Sequence, residues 1–188
     1  PRPRPRPRPR PTPGQLVFTN LAVSARGNKP ATFTLNRPTL VSKIVIQHLS
    51  GRGSCSGNGE MSNFGCGNSL VALLLTQSKR QVLPSNNVHG YKKTTHRHSH
   101  WYTLSGVSRN SKTMTWRLKN TQMLKAGTYQ LWYNEELSNG TEGDNRGTAK
   151  YKVTVFGASP QRPRPRPRTI RPQPSKSGCK GRVILFEH

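Results

Sequence analysis

Three histidines at alternate positions are the first residues in the sequence whose type and spacing could do chemistry. His96, His98 and His100 lie in the segment KKTTHRHSHWY at residues 92–102. In an extended strand, alternate side chains share one face about 6 to 7 Å apart, and three imidazoles so placed suit zinc or copper. Arg97 raises the local positive potential, however, and no acidic residue stands nearby to orient an imidazole. We therefore favour a cationic loop over a metal site, and we expect no cofactor.

The carboxylates are the second set of residues that could support catalysis. The chain has six of them, at Glu60, Glu135, Glu136, Glu142, Asp144 and Glu187. Glycoside hydrolysis needs two positioned carboxylates, but four of the six crowd into one Gly-rich segment, NEELSNGTEGDN. Glu135, Glu142 and Asp144 could ligate Ca²⁺, yet the segment lacks the fixed spacing of a calcium loop, and a solvated hairpin loop is favoured. Nucleophile-elbow and phosphate-loop motifs are absent, so we expect no enzyme activity.

The net charge restricts the class of partner. The chain carries 31 Lys and Arg against 6 Asp and Glu, a formal net charge of +25. The excess persists without the tails, because 18 basic residues and 5 acids lie between residues 14 and 157. Such an excess attracts polyanions and repels cations. An anionic polysaccharide, a nucleic acid or a negatively charged membrane or wall is therefore the expected partner, and the charge argues against a cationic substrate or partner.

The cysteines bear on the compartment. Cys55 and Cys66 flank a short loop rich in Gly, Ser and Asn. This spacing suits a local disulfide, since a metal site needs more ligands than the pair offers. Disulfides persist outside the cytosol, so we expect a secreted, extracellular protein. Cys179 is left over in the C-terminal tail, where it could form an intermolecular bond or stay a free thiol.

Two Pro-Arg segments flank the middle of the chain. Residues 1–13 read PRPRPRPRPRPTP, and residues 160–174 read PQRPRPRPRTIRPQP. Proline at every second position fixes φ and removes every second backbone donor, so stiff polyproline II arms are expected. Each arginine can present a bidentate fork to a phosphate, sulfate or carboxylate. The predicted polyanion- or partner-binding residues are Arg2, Arg4, Arg6, Arg8, Arg10, Arg162, Arg164, Arg166, Arg168 and Arg171.

A short apolar segment follows the second arm. Residues 181–188 (GRVILFEH) are strand-like and contain Val183, Ile184, Leu185 and Phe186. A lone strand needs a sheet edge to satisfy its backbone groups, and it can find that edge in its own domain or in a neighbouring subunit. The expected organisation is an arm at residues 1–13, a sandwich domain at 14–157, a linker at 158–180 and an assembly strand at 181–188.

The middle of the chain reads as a series of short strands. Met114, Trp116 and Leu118 alternate with polar residues, the period-2 pattern of a strand with one buried face. Clusters of Gly, Asn, Ser and Pro separate eight such segments, and none has a convincing 3.6-residue period. We predict an all-β fold, an antiparallel jelly-roll-like sandwich. The predicted strands are residues 15–20, 31–36, 40–48, 69–77, 101–104, 113–118, 128–133 and 149–156.

Aromatic residues interleave with the basic ones and make nucleic acid an alternative partner. Phosphate contacts combined with stacking on aromatic rings are typical of proteins that bind single strands. No zinc finger, RNP motif or recognition helix is visible, and the alternation of the aromatic residues along strands favours a core position. The residues concerned are Tyr91, Trp101, Tyr102, Trp116, Trp132 and Tyr133. The alternative is a viral coat-type jelly roll with arginine-rich arms.

Two segments carry a resemblance to a known class of domain. The motif LKAGTYQL at residues 124–131, followed by NRGTAKYKV at 145–153, resembles the last two strands of secreted galactose-binding-like or jelly-roll modules. Residues 38–44 and 101–104 fall in a similar order, so the resemblance extends over residues 14–157. It implies an accessory, binding or structural β-module outside the cell, and it transfers no ligand residue to this chain.

The sequence thus predicts a non-catalytic extracellular structural or adhesive module. It would self-assemble into a homo-oligomer, filament or matrix through the arms and strand addition, and it could do so together with an anionic polymer. No apolar run approaches the roughly 18 residues of a membrane-spanning helix, so no membrane span is expected. Because the chain starts at Pro1, we expect a processed protein or a piece of a longer one.

Overall fold

Ten β-strands make up the fold of the residues that the structure describes. The computed structural model covers residues 14–55, 61–65, 71–96, 99–134, 137, 143 and 145–157, without the side chains at 55, 95, 96, 99 and 100. The predicted all-β antiparallel sandwich is confirmed. The strands are β1 (Gln15–Ser24), β2 (Ala31–Leu35), β3 (Thr39–Cys55), β4 (Leu73–Gln77), β5 (Arg80–Leu83), β6 (Tyr91–His96), β7 (Ser99–Leu104), β8 (Thr113–Leu124), β9 (Gly127–Tyr133) and β10 (Asn145–Gly157).

The strands form two four-stranded sheets and a ribbon. The first sheet has the order β1-β10-β3-β8, the second sheet has the order β2-β9-β4-β5, and β6 pairs with β7 in the ribbon. All of these pairings are antiparallel. Strands distant in sequence therefore lie side by side, as β10 does between β1 and β3.

The core lies between the two sheets and follows the period-2 pattern of the strands. In β8, Met114, Trp116 and Leu118 are buried, whereas Thr113 and Arg117 are exposed. The second sheet contributes buried residues of the same kind. Across the described residues, the largest fully buried side chains are Trp116, Tyr102, Tyr129, Tyr133, Tyr151 and Phe64. The core position favoured for the aromatic residues is thus observed for most of them.

Two of the buried tyrosines, Tyr102 and Tyr151, keep their hydroxyl groups hydrogen-bonded. The Tyr102 hydroxyl donates to the Leu73 carbonyl oxygen at 2.8 Å, and the Tyr151 hydroxyl donates to the Asn63 carbonyl oxygen at 2.6 Å. Burial raises the pKa of both phenols well above the usual value. It also raises the pKa of Tyr133, to about 12. The core therefore holds these side chains in their neutral form.

The pairing of β3 with β10 is the longest in the fold and positions the outer surface of the first sheet. It runs from Val41 opposite Gly157 to Cys55 opposite Asn145, with two irregularities of register. Gly51 lies in this ladder with φ of 71°, and a Cβ atom there would collide with the carbonyl oxygen of Thr148. Only glycine combines this backbone conformation with so close an approach of the two strands.

Two of the ten strands were missed in the sequence, and several predicted bounds were too short. β5 has four residues and is mostly exposed, and β6 (YKKTTH) has no apolar alternation, so neither carries a period-2 signal. β3 was predicted to end at His48 but continues to Cys55 through Gly-rich residues that are depleted in strands generally. Among the described residues, no helix is long and apolar enough to cross a membrane.

Candidate functional site

The outer surface of the first sheet carries positive charge at regular positions of the pleat. Residues directly opposite each other on neighbouring strands share a face. The register pairs Gln15 with Phe156, Phe156 with Lys43, and Lys43 with Arg117, which makes one row across all four strands. The Lys43 ammonium lies 4.1 Å from the centre of the Phe156 ring, a cation–π contact. This row forms one end of the surface.

Further rows extend the same surface along the strands. Val17, Thr154, Val45 and Thr115 form the second row, and Lys152, Gln47 and Thr113 form the third. Beyond the irregularity of register, Lys150 pairs with Ser50, and Thr148 pairs with Arg52. We call the surface defined by Lys43, Arg52, Arg117, Lys150 and Lys152 the cationic face.

The cationic face is long and narrow. Lys43 and Arg52 are nine residues apart on β3, which corresponds to roughly 30 Å along an extended strand. Lys150 and Lys152 lie between them on β10, about 7 Å apart. Thr148 and Thr154 flank the two lysines on β10, and of these Thr148 is exposed whereas Thr154 is buried. A charged track therefore follows the strands, with the Thr148 hydroxyl group beside it.

The electrostatics of this face are one-sided. Between residues 14 and 157 the chain carries 18 Lys and Arg against 5 Asp and Glu. Arg52, Arg117 and Lys150 are exposed, whereas Lys43 and Lys152 are half-buried. An excess of positive charge in the domain, with five cations aligned on one sheet, creates a potential that attracts anionic ligands.

The outer surface of the second sheet has a different composition. Thr34 pairs with Thr128, and their hydroxyl oxygens lie 3.3 Å apart. The Thr76 hydroxyl and the Trp132 indole N–H both donate to the Gln130 side-chain oxygen, at 3.5 and 3.3 Å. We call this surface the neutral face, and it consists of Thr32, Thr34, Leu74, Thr76, Thr128, Gln130 and Trp132.

The metal alternative at the three histidines would require residues 96–100 to form one extended strand. β6 ends at His96 and β7 begins at Ser99, and the two strands pair antiparallel as a hairpin. Position 96 pairs with position 99, and position 95 pairs with position 100. Positions 96 and 100 therefore belong to adjacent residue pairs of the hairpin. The histidine side chains and residue 98 lie outside the described part of the chain. Among the residues that the structure does describe, no group of metal-binding residues occurs. A metal site at His96, His98 and His100 stays a prediction.

The other predicted sites fall outside the described residues. They are the arginines of both arms, the terminal strand at residues 181–188, and the Cys55 to Cys66 disulfide, of which only the Cys55 backbone is described. The acidic residues of the segment NEELSNGTEGDN also lie outside it. These sites and the four-part organisation remain predictions.

The fold is similar to that of a solved protein. The structure of AJLec from the sea anemone Anthopleura japonica matches with a TM-score of 0.67 at 20% sequence identity, over 78% of this chain and 98% of that chain. At this identity the likeness shows a shared β-sandwich fold, and it supports the β-sandwich part of the resemblance drawn from the sequence. No protein-family model and no curated protein matches the chain.

The cationic face was not recognised from the sequence, although part of its signal was visible. The alternation of Lys150 and Lys152 with buried residues in β10, and of Arg117 with buried residues in β8, indicated that these cations point away from the core. Lys43 gave no such signal, because a bulge between Val41 and Lys43 interrupts the alternation of buried and exposed residues near the start of β3. Only the sheet order brings the three strands together.

Proposed function

We propose that the chain is a non-catalytic, secreted adhesive module that binds an acidic polysaccharide. The observation that carries this proposal is the charge of the sandwich: residues 14–157 carry 18 Lys and Arg against 5 Asp and Glu, and the sheet register aligns five of the cations on one surface. Four of the chain's six carboxylates crowd into residues 135–144, a pattern that does not indicate a positioned catalytic pair. Binding without turnover is the function that such a surface supports best.

The distribution of the aromatic rings favours a polysaccharide over a nucleic acid. Proteins that bind single-stranded nucleic acid stack bases on exposed aromatic side chains. Here the rings of Trp116, Tyr102, Tyr129, Tyr133 and Tyr151 are buried in the core. A polysaccharide needs no stacking platform, because its sulfate or carboxylate groups can pair with Lys and Arg, and its hydroxyl groups can hydrogen-bond to threonine.

The structural neighbour is consistent with this choice. AJLec is a sea anemone lectin, and its shared fold makes a carbohydrate-binding or adhesive module plausible for this chain. The identity is 20%, so no ligand residue is transferred. The carbohydrate class proposed here rests on the charge of this chain and not on the neighbour.

Binding of the full chain to three matched polymers tests the proposal. We expect tight, salt-sensitive binding to heparin as a sulfated polysaccharide, weaker binding to single-stranded DNA of the same charge, and none to neutral dextran. Biolayer interferometry over a range of NaCl concentrations measures all three. Failure to bind heparin would overturn the proposal. Tightest binding to DNA would instead support the nucleic-acid or coat-type alternative.

We also propose that the Pro-Arg arms and the strand at residues 181–188 join copies of the chain into a polymer. The support comes from the sequence alone: two stiff cationic spacers, an apolar strand without an evident partner, and the leftover Cys179. Deleting residues 175–188 leaves the arginines of both arms in place. We expect the deletion to reduce the assembly size measured by light scattering, and an unchanged size would contradict strand addition.

A further inference from the structure

We propose that the cationic face is the docking surface, and that an acidic polysaccharide lies along β10 and β3 with its axis parallel to the strands. This inference rests on the proposed function and adds where and in which direction the polymer binds. The contacting residues are Lys43, Arg52, Arg117, Lys150 and Lys152.

The shape of the charge pattern sets the direction of the polymer. Across the sheet, Lys43 and Arg117 lie on adjacent strands, only about 5 Å apart. Along the sheet, the charges extend from Lys43 to Arg52, roughly 30 Å. A linear polymer aligned with the strands can meet four or five cations, whereas one that crosses the strands can meet two. Because each contact adds to the affinity, the aligned direction is favoured.

The chemistry along the track matches a charged sugar chain. The exposed Thr148 hydroxyl group lies next to Lys150 on the outward side of β10, whereas Thr154, beyond Lys152, is buried. Ammonium groups pair with sulfate or carboxylate groups, and a threonine hydroxyl can donate to or accept from a sugar hydroxyl. Phe156 lies at the end of the track with the Lys43 ammonium over its ring. This contact holds the lysine in place and leaves the track without an open stacking platform.

The second sheet fits an anionic polymer less well than the cationic face. The neutral face has threonine and glutamine at the equivalent positions and no charge. The cations at the margins of the second sheet include Lys29, which precedes β2, Arg80, which begins β5, and Lys125, which precedes β9. They sit on separate strand ends and form no continuous track. They therefore serve as a control set of equal charge.

Two triple variants of the full chain separate position from total charge. The face variant K43Q/R117Q/K152Q and the margin variant K29Q/R80Q/K125Q each remove two lysines and one arginine, and both keep the arms. We expect heparin affinity to fall roughly 10- to 100-fold in the face variant and less than about 3-fold in the margin variant, because only the first set contacts the polymer. Thermal unfolding midpoints confirm that both variants stay folded.

Lysine footprinting provides a readout that the arms do not influence. Acetylation of the unmodified full chain with and without heparin, followed by mass spectrometry, measures the protection of each lysine. We expect heparin to slow the acetylation of Lys43, Lys150 and Lys152 severalfold, and to leave Lys29 and Lys125 unchanged.

The outcomes distinguish this inference from the proposed function. Heparin binding with equal losses in both triple variants, or with equal protection of both lysine sets, overturns the cationic face and leaves the proposed function standing. Absence of heparin binding by the unmodified chain overturns both. Selective protection of Lys43, Lys150 and Lys152 by single-stranded DNA but not by heparin would overturn the polysaccharide as the occupant of this face.

Discussion

The outer surfaces of the two sheets follow the same pleat and cover the same core, but they differ in charge and in burial. On the first sheet, outward positions carry Lys and Arg, and Val17 is 46% exposed. On the second sheet, outward positions carry Thr and Gln, and Leu74 is fully buried although the register places it opposite Trp132, away from the core-facing Leu73 and Leu75.

This difference shows that the outward positions of the two sheets have different roles. The inward positions of both sheets fill the shared core, and the outward positions differ between the sheets. The first sheet uses them for an open, charged surface. The second sheet uses part of them to bury further apolar side chains. The predictions below test this division, from the largest expected effect to the smallest.

The largest effect is expected from truncating an outward apolar residue on each sheet. Leu74→Ala should lower the free energy of unfolding by about 3 kcal/mol, because it leaves a cavity in a fully buried position. Val17→Ala should lower it by less than about 1 kcal/mol, since that side chain is largely solvated. Urea denaturation of both variants measures the two values. Equal losses would show that the two outer surfaces are buried alike.

The second prediction concerns the core that the two faces share. Burial raises the pKa of Tyr133 to about 12, whereas an unfolded tyrosine ionises near pH 10. The stabilisation from the neutral phenol is therefore fully present below pH 10 and is lost as the pH rises to about 12. A difference of two units corresponds to about 3 kcal/mol.

Circular dichroism of the unmodified chain and of Tyr133→Phe between pH 9 and about pH 12 checks this prediction. The variant should lose less stability over this range, although Tyr102 and Tyr151 still contribute to the loss because their pKa values are raised as well. An identical pH dependence of the two proteins would contradict the assignment to Tyr133.

The third prediction adds charge to each face in turn. T113K/T115K extends the cationic face on β8, and T32K/T128K places the same two charges at diagonal positions of the neutral face. We expect heparin affinity to rise up to about tenfold in the first variant and less than about threefold in the second. Isothermal titration calorimetry measures both. Equal gains would mean that total charge, and not its position, determines binding.

The smallest effect concerns the contact between Lys43 and Phe156. A double-mutant cycle of Lys43→Gln and Phe156→Leu should give a coupling energy of about 0.5 kcal/mol, as expected for a cation–π pair that stays partly accessible to solvent. Urea denaturation of the four proteins provides the value. The matching cycle on the neutral face uses Thr34→Val and Thr128→Val, a neutral hydroxyl pair. Zero coupling between Lys43 and Phe156 would remove the ring as a support for the lysine.

Most of the fold could be predicted from the sequence, because alternation and turn residues are local signals. The buried set Met114, Trp116 and Leu118 in β8 followed directly from period 2. β5 and β6 were not predicted because they are short or polar. Their conformation depends on pairing with the neighbouring strand and not on their own residue pattern. The end of β3 escaped for a related reason: Gly51 and Gly53 lower strand propensity, but their lack of a side chain permits the close approach that β10 and Tyr133 require.

The sequence by itself determined the sign and size of the charge, the all-β class, and which residues of most strands face the core. The tertiary structure decided that Lys43 of β3, Lys152 of β10 and Arg117 of β8 share one surface, and that the corresponding surface of the other sheet is uncharged. Period 2 assigns a residue to one side of its own strand. Backbone hydrogen bonds form between strands of any sequence, so the neighbours of a strand are chosen only when the whole core packs, and the composition of a face follows from that choice.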